Sequence, residues 1–294
     1  AAVDEATAAE AIELIRLDLE PLPFVLDPLE SLRPGGPDAW VQGNVLVEDA
    51  MKSLKWEGVD FSTVAQGQLP MGEVTAEWAV GDVEAGFAQA DYVLDETMVH
   101  QTQTHHPLEP RSTLAYWQNG KLFAHCSVQS TARARAALAD ALGLELGDVV
   151  VIAEYCGGGF GSKITGGPIM QVAPLFSKKL GRPVMLRITR YEETYVGRSR
   201  PGFQARARFG FRKDGRITAL DLFIVEDHGP YGGGGDFGTA GNLAHLMYQP
   251  ENMRLRAVPV FTNTPPRSAQ RGPGGVQIVT LLEPLMDKAA RELG

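Results

Sequence analysis

The spacing of apolar side chains changes several times along the 294-residue chain, and each change predicts a different element. From Asp4, "DEATAAEAIELIRLDLEPLP" places Ala9, Ile12 and Ile15 one turn apart, which predicts an amphipathic helix running into an extended segment halted by Pro21 and Pro23. This is half of an α/β unit with no companion strand before it, so the chain is expected to begin inside a domain. Residues 27 to 72 show little periodicity and several Pro and Gly, which predicts a long exposed connection wrapped over an adjacent core. Beyond Gly81 the pattern sharpens into a short helix and a strand at about 91 to 101. "STLAYWQNGKLFAHCSVQ" is two strands about Asn119-Gly120, a strong hairpin signal, and "STARARAALADALGL" is a helix capped by Ser130 or Thr131 and stopped by Gly143. "VVVIAEYC" predicts a fully buried strand. It is followed by a helix at about 167 to 180, a strand at 183 to 189 and a hairpin at about 203 to 226 turning at Asp214-Gly215. The glycine loop "GPYGGGGDFG", a strand near 254 to 262 and a helix from about 275 complete the reading. The fold class is α+β, with loops carrying the unusual residues and no internal repeat.

A hydrophobic content of 44% supports a sizeable core. No apolar run approaches the roughly 18 to 20 residues needed to cross a bilayer, and "AAVDEATAAE" lacks the regions of a signal peptide, so a soluble cytoplasmic protein is expected. The formal charge of −9 is uneven: residues 1 to 100 carry 20 acidic and 4 basic side chains, residues 101 to 294 carry 16 and 23. Arg206, Arg208 and Arg212 alternate with apolar residues as the wet face of a strand would, so no nucleic-acid partner is expected. Cys126 and Cys156 are in no metal or redox spacing and read as two reduced, buried thiols.

Three stretches carry candidate chemistry. "CGGGFGSK" at 156 to 163 is not a P-loop, because Ser162 separates Gly161 from Lys163, and it lacks the third glycine of a dinucleotide fingerprint. Its glycines permit positive φ and close approach of a flat or anionic ligand to the main chain, or simply a tight turn. "PPRSAQRGPGGVQ" at 265 to 277 sets Arg271 and Gly272 in a turn before a helix, where a fork of donors suits oxygen ligands or a surface salt bridge. "QTQTHHPLEPRS" gathers Gln103, His105, His106 and Glu109, but adjacent histidines on extended backbone face opposite ways, so a zinc site is not expected. Gln129, at the end of the hairpin, is by itself an ordinary solvated amide.

In order and spacing, "QTHHPLEP", Gln129, "GGGFGSK", "TRYEE" and "RGPGGVQ" resemble the molybdenum-binding subunit of the xanthine dehydrogenase and aldehyde oxidase family. The resemblance implies the end of an α/β hammerhead domain at 1–32, a connecting segment at 33–80 and the first molybdopterin-binding domain at 81–294, with the second one missing. It implies a molybdopterin cofactor, as the cytosine dinucleotide in bacteria, whose dithiolene sulfurs hold molybdenum so that no protein metal ligand is needed. Gly158, Gly159, Phe160 and Gly161 fall at the cofactor, with main-chain N–H groups directed at it. Gln129 falls on the amide that bonds an oxygen ligand of the metal, and Arg271 and Gly272 fall on a lining loop. The implied activity is hydroxylation of an aldehyde or an N-heterocyclic or aromatic carbon with water-derived oxygen. Electrons would pass to [2Fe-2S] and FAD on an iron-sulfur subunit and a flavin subunit.

The family's catalytic glutamate lies beyond this chain, so Glu192, Glu193 and Glu283 are not assigned its role, and a fragment or one part of a split subunit is expected. Ile164 stands where purine enzymes carry a glutamate, and their substrate arginine falls near Thr239, which disfavours purines. "RGPGG" lacks the cysteine of the carbon monoxide variant. Reductive dehydroxylation of aromatic acyl-thioesters, and a cofactor-free homologue, are the alternatives the same scaffold allows.

Overall fold

Side-chain oxygens and left-handed glycines set the helix ends. Asp4 accepts from the Thr7 N–H at 2.8 Å to start α1 (Glu5–Glu13), and Asp27 from Leu29 at 2.8 Å to start α2 (Pro28–Leu32). Asp82 starts α3 (Val83–Ala88), and Ser130 starts α4 (Thr131–Leu142), which stops at Gly143 with φ +63°. The remaining helices are α5 (Pro168–Leu180), α6 (Arg190–Val196), α7 (Asp236–Tyr248) and α8 (Gly275–Leu293). The strands are β1 (Val45–Val47), β2 (Ala50–Lys52), β3 (Ala76–Val80), β4 (Tyr92–His100), β5 (Gln103–Thr104), β6 (Ser112–Gln118), β7 (Lys121–Cys126), β8 (Val149–Ile152), β9 (Val184–Arg187), β10 (Ser199–Arg200), β11 (Gly202–Phe211), β12 (Ile217–Gly229) and β13 (Met253–Phe261). The computed structural model describes residues 1–165, 167–231 and 235–294. No helix among them is long and apolar enough to cross a membrane.

The chain packs as two units, one of residues 1–23 and 105–197, the other of residues 24–104 and 198–294. In the first, a sheet of order β8-β7-β6-β9 is antiparallel except for β7 with β8, which α4 connects. The β6–β7 turn has Asn119 at φ +51° and Gly120 at φ +76°, the paired left-handed geometry that follows strand twist. Ala115, Leu122, Ala124, Leu138, Val149 and Ala173 are among the residues that build its core. β8 is shorter than expected. It ends at Ile152, Tyr155 is 86% exposed, and Cys156 is exposed rather than buried, because the chain leaves the sheet for the glycine turn before reaching either residue. Cys126 is buried as expected, and burial pushes its thiol up to about 11. α1 buries none of its residues.

The second unit holds a sheet of order β3-β13-β12-β11-β4, with the parallel pair β12–β13 joined through α7. β12 is buried along nearly its whole length. Leu220, Leu222 and Ile224 join one core cluster with Ala240, Ala244, Ile278 and Leu282 of α7 and α8, while Phe223 and Val225 join another. That second cluster shows the aperiodic stretch at 27 to 72 wrapped over a core as expected, and corrects only its exposure. Val45, Trp56, Phe61 and Leu69 come from this stretch and are buried with Val258 and Val260, so aperiodic sequence here covers a sheet rather than facing water. Most acidic side chains of the stretch, among them Glu48, Asp49, Glu57 and Asp60, are exposed. Arg206 is paired at both nitrogens with Asp95 at 2.6 and 2.7 Å, and the Arg208 guanidinium lies 4.1 Å above the Phe87 ring, so these basic groups serve the unit's own surface.

Trp56, 2% exposed, packs against Phe61 and Phe223 and donates from Nε1 to the Glu73 carbonyl at 2.8 Å. Trp56→Ala is expected to lower the stability of this unit by about 3 to 5 kcal/mol, read from the urea midpoint of the full chain.

Candidate functional site

The loop between β8 and α5 is anchored by a lysine that the sequence did not single out. Lys163 is 1% exposed, and its ammonium donates to the Glu109 carbonyl at 2.6 Å, Ser127 Oγ at 2.6 Å and Glu109 Oε2 at 3.3 Å. The same Oε2 accepts from Ser127 Oγ at 2.8 Å and from the Gly157 N–H at 2.6 Å. Burial alone pushes the Glu109 carboxyl up, but the Ser127 hydroxyl, the Gly157 amide and the Lys163 charge outweigh it and hold the group below its ordinary range. A buried charge of this kind is tolerated only with such a set of partners.

Gln129 organises the turn itself. Its Oε1 accepts from the Gly161 N–H at 2.9 Å and the Lys163 N–H at 3.2 Å, while its own backbone N–H donates to the Lys163 carbonyl at 2.8 Å. With the amide oxygen engaged inward, the exposed side chain presents its NH₂ group as a pure donor. A Cβ at Gly159 would be driven into the Gln129 amide, and one at Gly157 into the Glu109 side chain. These two glycines are therefore required by the chain's own side chains. Gly158, Phe160 and Gly161 take φ of +101°, +55° and +112°, so the turn is left-handed at three positions. The Gly161 N–H is the one that donates to Gln129 Oε1.

The "TRYEE" stretch closes the other side. Thr189 and Glu192 form a capping box that starts α6, Glu193 pairs with the Arg111 guanidinium, and Arg111 Nη2 donates to the Ser162 carbonyl at 2.8 Å. Arg190 Nη2 donates to the carbonyls of Pro107 and Leu108 at 2.5 and 2.9 Å. His105 is buried and His106 exposed, and no group of three or more His, Cys, Asp or Glu among the described residues is placed to hold a metal ion.

In the second unit, Arg271 and Gly272 lie in the turn before α8, with both residues exposed and Gly272 and Gly274 at φ +73° and +70°. Gly274 is packed so closely that a Cβ would meet the Asp236 carbonyl and the Ala240 N–H. The turn is held from behind by Arg200, which is 3% exposed. Arg200 donates to the Arg271 carbonyl at 2.8 Å, and to the Gly272 carbonyl, Gln270 Oε1 and Gln277 Oε1 at 3.0 Å each. Burial lowers the pKa of this guanidinium while Asp236 opposes that shift. Gln277 Nε2 donates to Asp236 Oδ2 at 2.6 Å, and Glu226 accepts the N–H groups of Asp236 and Phe237 at 3.3 and 2.9 Å, capping α7. Full burial pushes the Glu226 carboxyl up despite its contact with His228 Nδ1 at 3.2 Å.

The sequence reading missed Lys163, Arg200, Glu226, Asp236 and Gln277. The signal for Glu226 was present, since "EDH" interrupts an apolar strand. Thr239 is exposed on α7, and the glycine loop at 229 to 238 lies partly outside the described residues, which omit 232–234.

Two predictions follow from this geometry. Because the Glu109 carboxyl is depressed, its contribution is complete above the ordinary value of 4.5 and fades as pH falls through the lower folded-state value. Hydrogen-exchange protection of the Gly157 amide is expected to drop below about pH 4.5, and Glu109→Gln to remove that dependence. Gly159→Ala is expected to displace the Gln129 amide, expose the Gly161 N–H to exchange and destabilise the first unit by about 1 to 3 kcal/mol. Gly147→Ala, with open space at its Cβ and no positive φ, is the control that changes neither quantity.

Comparison with known proteins places this arrangement. Residues 67–294 match the molybdopterin cofactor-binding domain. The chain is 29% identical over 296 residues to an aldehyde oxidoreductase of Megalodesulfovibrio gigas, covering 99% of this chain and 29% of that protein. It is 32% identical over 217 residues to the nicotinate dehydrogenase large molybdopterin subunit of Eubacterium barkeri, covering 73% of this chain and 51% of that protein. Among solved structures, it superposes on aldehyde oxidoreductase from Desulfovibrio gigas with a TM-score of 0.75 at 27% identity, over 99% of this chain and 30% of that one. For a Cu,Mo-CO dehydrogenase the TM-score is 0.81 at 25% identity, over 99% and 36%. The chain thus spans about a third of the length of most of these relatives, and it belongs to the molybdopterin cofactor-binding domain family.

Proposed function

We propose that the chain is the cofactor-binding first part of a molybdenum hydroxylase acting on an aldehyde or an N-heterocyclic or aromatic substrate. In this reading residues 1–32 close an α/β hammerhead domain, 33–80 connect it, and 81–294 form the first molybdopterin-binding domain. The rest of the molybdenum subunit, an iron-sulfur subunit and an FAD subunit are its partners, the pterin is the cytosine dinucleotide form, and the assembly is cytoplasmic. Bound molybdopterin supplies oxygen transfer from water and a two-electron sink that drains to [2Fe-2S] and FAD.

The observation that carries the reading is the fixed Gln129 amide. Its oxygen is held by two backbone N–H groups, so its NH₂ is aimed outward beside a left-handed glycine turn. A metal centre with oxygen ligands asks for such a donor. The residues of the first unit therefore fit the group: Gln129, Gly158, Gly159, Phe160 and Gly161 would hold it there, while in the second unit Arg271 and Gly272 form a glycine turn of the same kind. In the chain's own part of the chemistry, Gln129 orients an oxygen by donation, and Lys163, Glu109 and Ser127 keep that donor from rotating. Ile164 supports an apolar substrate over a purine, since it offers no hydrogen bond to a ring nitrogen.

Gln129→Glu tests this directly, because a carboxylate still accepts from Gly161 and Lys163 while losing the outward donor. In protein co-expressed with its companion polypeptides, we expect unchanged melting and a drop in turnover of about tenfold or more. Absence of molybdenum from the co-expressed wild-type complex, by metal analysis, would overturn the proposal.

A further inference from the structure

Glu193 of α6 is 4% exposed, and both of its oxygens are committed to one residue. Oε2 accepts from the Arg111 backbone N–H at 2.9 Å, and Oε1 is paired with Arg111 Nη1. A carboxylate engaged in this way is not placed to take a proton from a substrate. The chain keeps room for the pair, since a Cβ at Gly197 would meet the Glu193 carbonyl and Oε1 and lie 3.2 Å from Arg111 Nη1. A buried ion pair is not in itself a source of stability, because desolvating both groups offsets most of their attraction. What it supplies here is a fixed position for the far side of a rigid guanidinium fork.

That far side makes one contact. Arg111 Nη2 donates to the Ser162 carbonyl at 2.8 Å. The Ser162 carbonyl and the Lys163 N–H belong to a single planar, trans peptide unit, so they point in opposite directions. Holding the oxygen on Arg111 aims the N–H the other way, where Gln129 Oε1 receives it at 3.2 Å. The Gly161 N–H supplies the second bond to the same oxygen at 2.9 Å. Turning the Gln129 amide over would set its NH₂ group against two donors and leave both without an acceptor, so each N–H held in place resists the turn.

We propose that Glu193 and Arg111 are positioning residues that fix the orientation of the Gln129 amide, acting through the Ser162–Lys163 peptide. The bearing of this on turnover rests on the hydroxylase reading, whereas the orientation is a property of the metal-free full chain and is tested there. Arg111→Met alone would strand a buried carboxylate, so it is combined with Glu193→Met, which removes both charges together. Thr189→Ala is the comparison, because it removes the cap of α6 and touches neither Arg111 nor the peptide.

With glutamine labelled by ¹⁵N, the Gln129 side-chain amide is expected to be as ordered as rigid backbone in the wild type and in Thr189→Ala, with S² of about 0.85, and to fall below about 0.6 in the double variant. Exchange of the Lys163 amide is expected to quicken about tenfold or more in the double variant while the amides of β7 keep their rates. A Gln129 amide that stays ordered in the double variant, or exchange that rises equally in β7, would mean that the pair only supports the fold and would overturn the proposal. Equal loss of order in Thr189→Ala would do the same, by tracing the effect to α6 as a whole. In the co-expressed complex the double variant is expected to lower kcat about tenfold with KM and molybdenum content unchanged. Molybdenum missing from the wild-type complex would end the hydroxylase reading alone, since the metal-free measurements still decide the orientation.

Discussion

A single ammonium group buried behind a glycine turn is the constraint on which the first unit's site depends. Lys163 ties together the segment at Glu109, the strand end at Ser127 and the turn from Gly157 to Ser162, three stretches far apart in sequence. Desolvating a charge is expensive, so the ammonium persists only because a carbonyl, a hydroxyl and a carboxylate all face it. The consequence is geometric rather than energetic. With Glu109 immobilised by Lys163, the Gly157 amide has a fixed acceptor, and the turn that begins there delivers Gly161 to Gln129 in one conformation.

The second unit repeats the device with a different cation. Arg200 collects the carbonyls of Arg271 and Gly272 and the side-chain oxygens of Gln270 and Gln277. In the first unit Arg111 similarly takes the Ser162 carbonyl. A glycine-rich turn has no side chains with which to pack, and its backbone is otherwise free to sample both signs of φ. Cations placed behind it select the carbonyl-inward arrangement and hold the ligand face still, which is what a preorganised cofactor cradle requires.

Much of the framework was legible because local chemistry agreed with the fold. Asn119-Gly120 demands a hairpin, Ser130 and Gly143 bracket α4, and Asp214-Gly215 turns β11 into β12, all where the spacing put them. The motif order from Glu109 to Arg271 was readable too. What failed was anything set by distant pairing. Val45, Trp56 and Phe61 obey no period because they fill hollows on a sheet built mainly from residues after 200. Gly157 and Gly159 looked like ligand-facing positions, yet their missing Cβ atoms make room for Glu109 and Gln129, residues 48 and about 30 positions earlier. Lys163 was seen only as the wrong lysine for a phosphate loop, since burial beside Glu109 leaves no mark on its neighbours in sequence.

The polar interior of the second unit has a further consequence for how its parts act together. Glu226 fixes the first turn of α7 by accepting two of its amides, and Asp236 in that turn receives Gln277 from α8, which in turn receives Arg200. His228 and Glu226 are thus joined to the Arg271 turn by hydrogen bonds between largely buried groups, without a gap. In a close-packed interior such a chain does not deform gradually, because losing one link strands a buried donor or acceptor. Glu226, though no part of the turn, is therefore linked to the Arg271–Gly272 carbonyls through Asp236, Gln277 and Arg200.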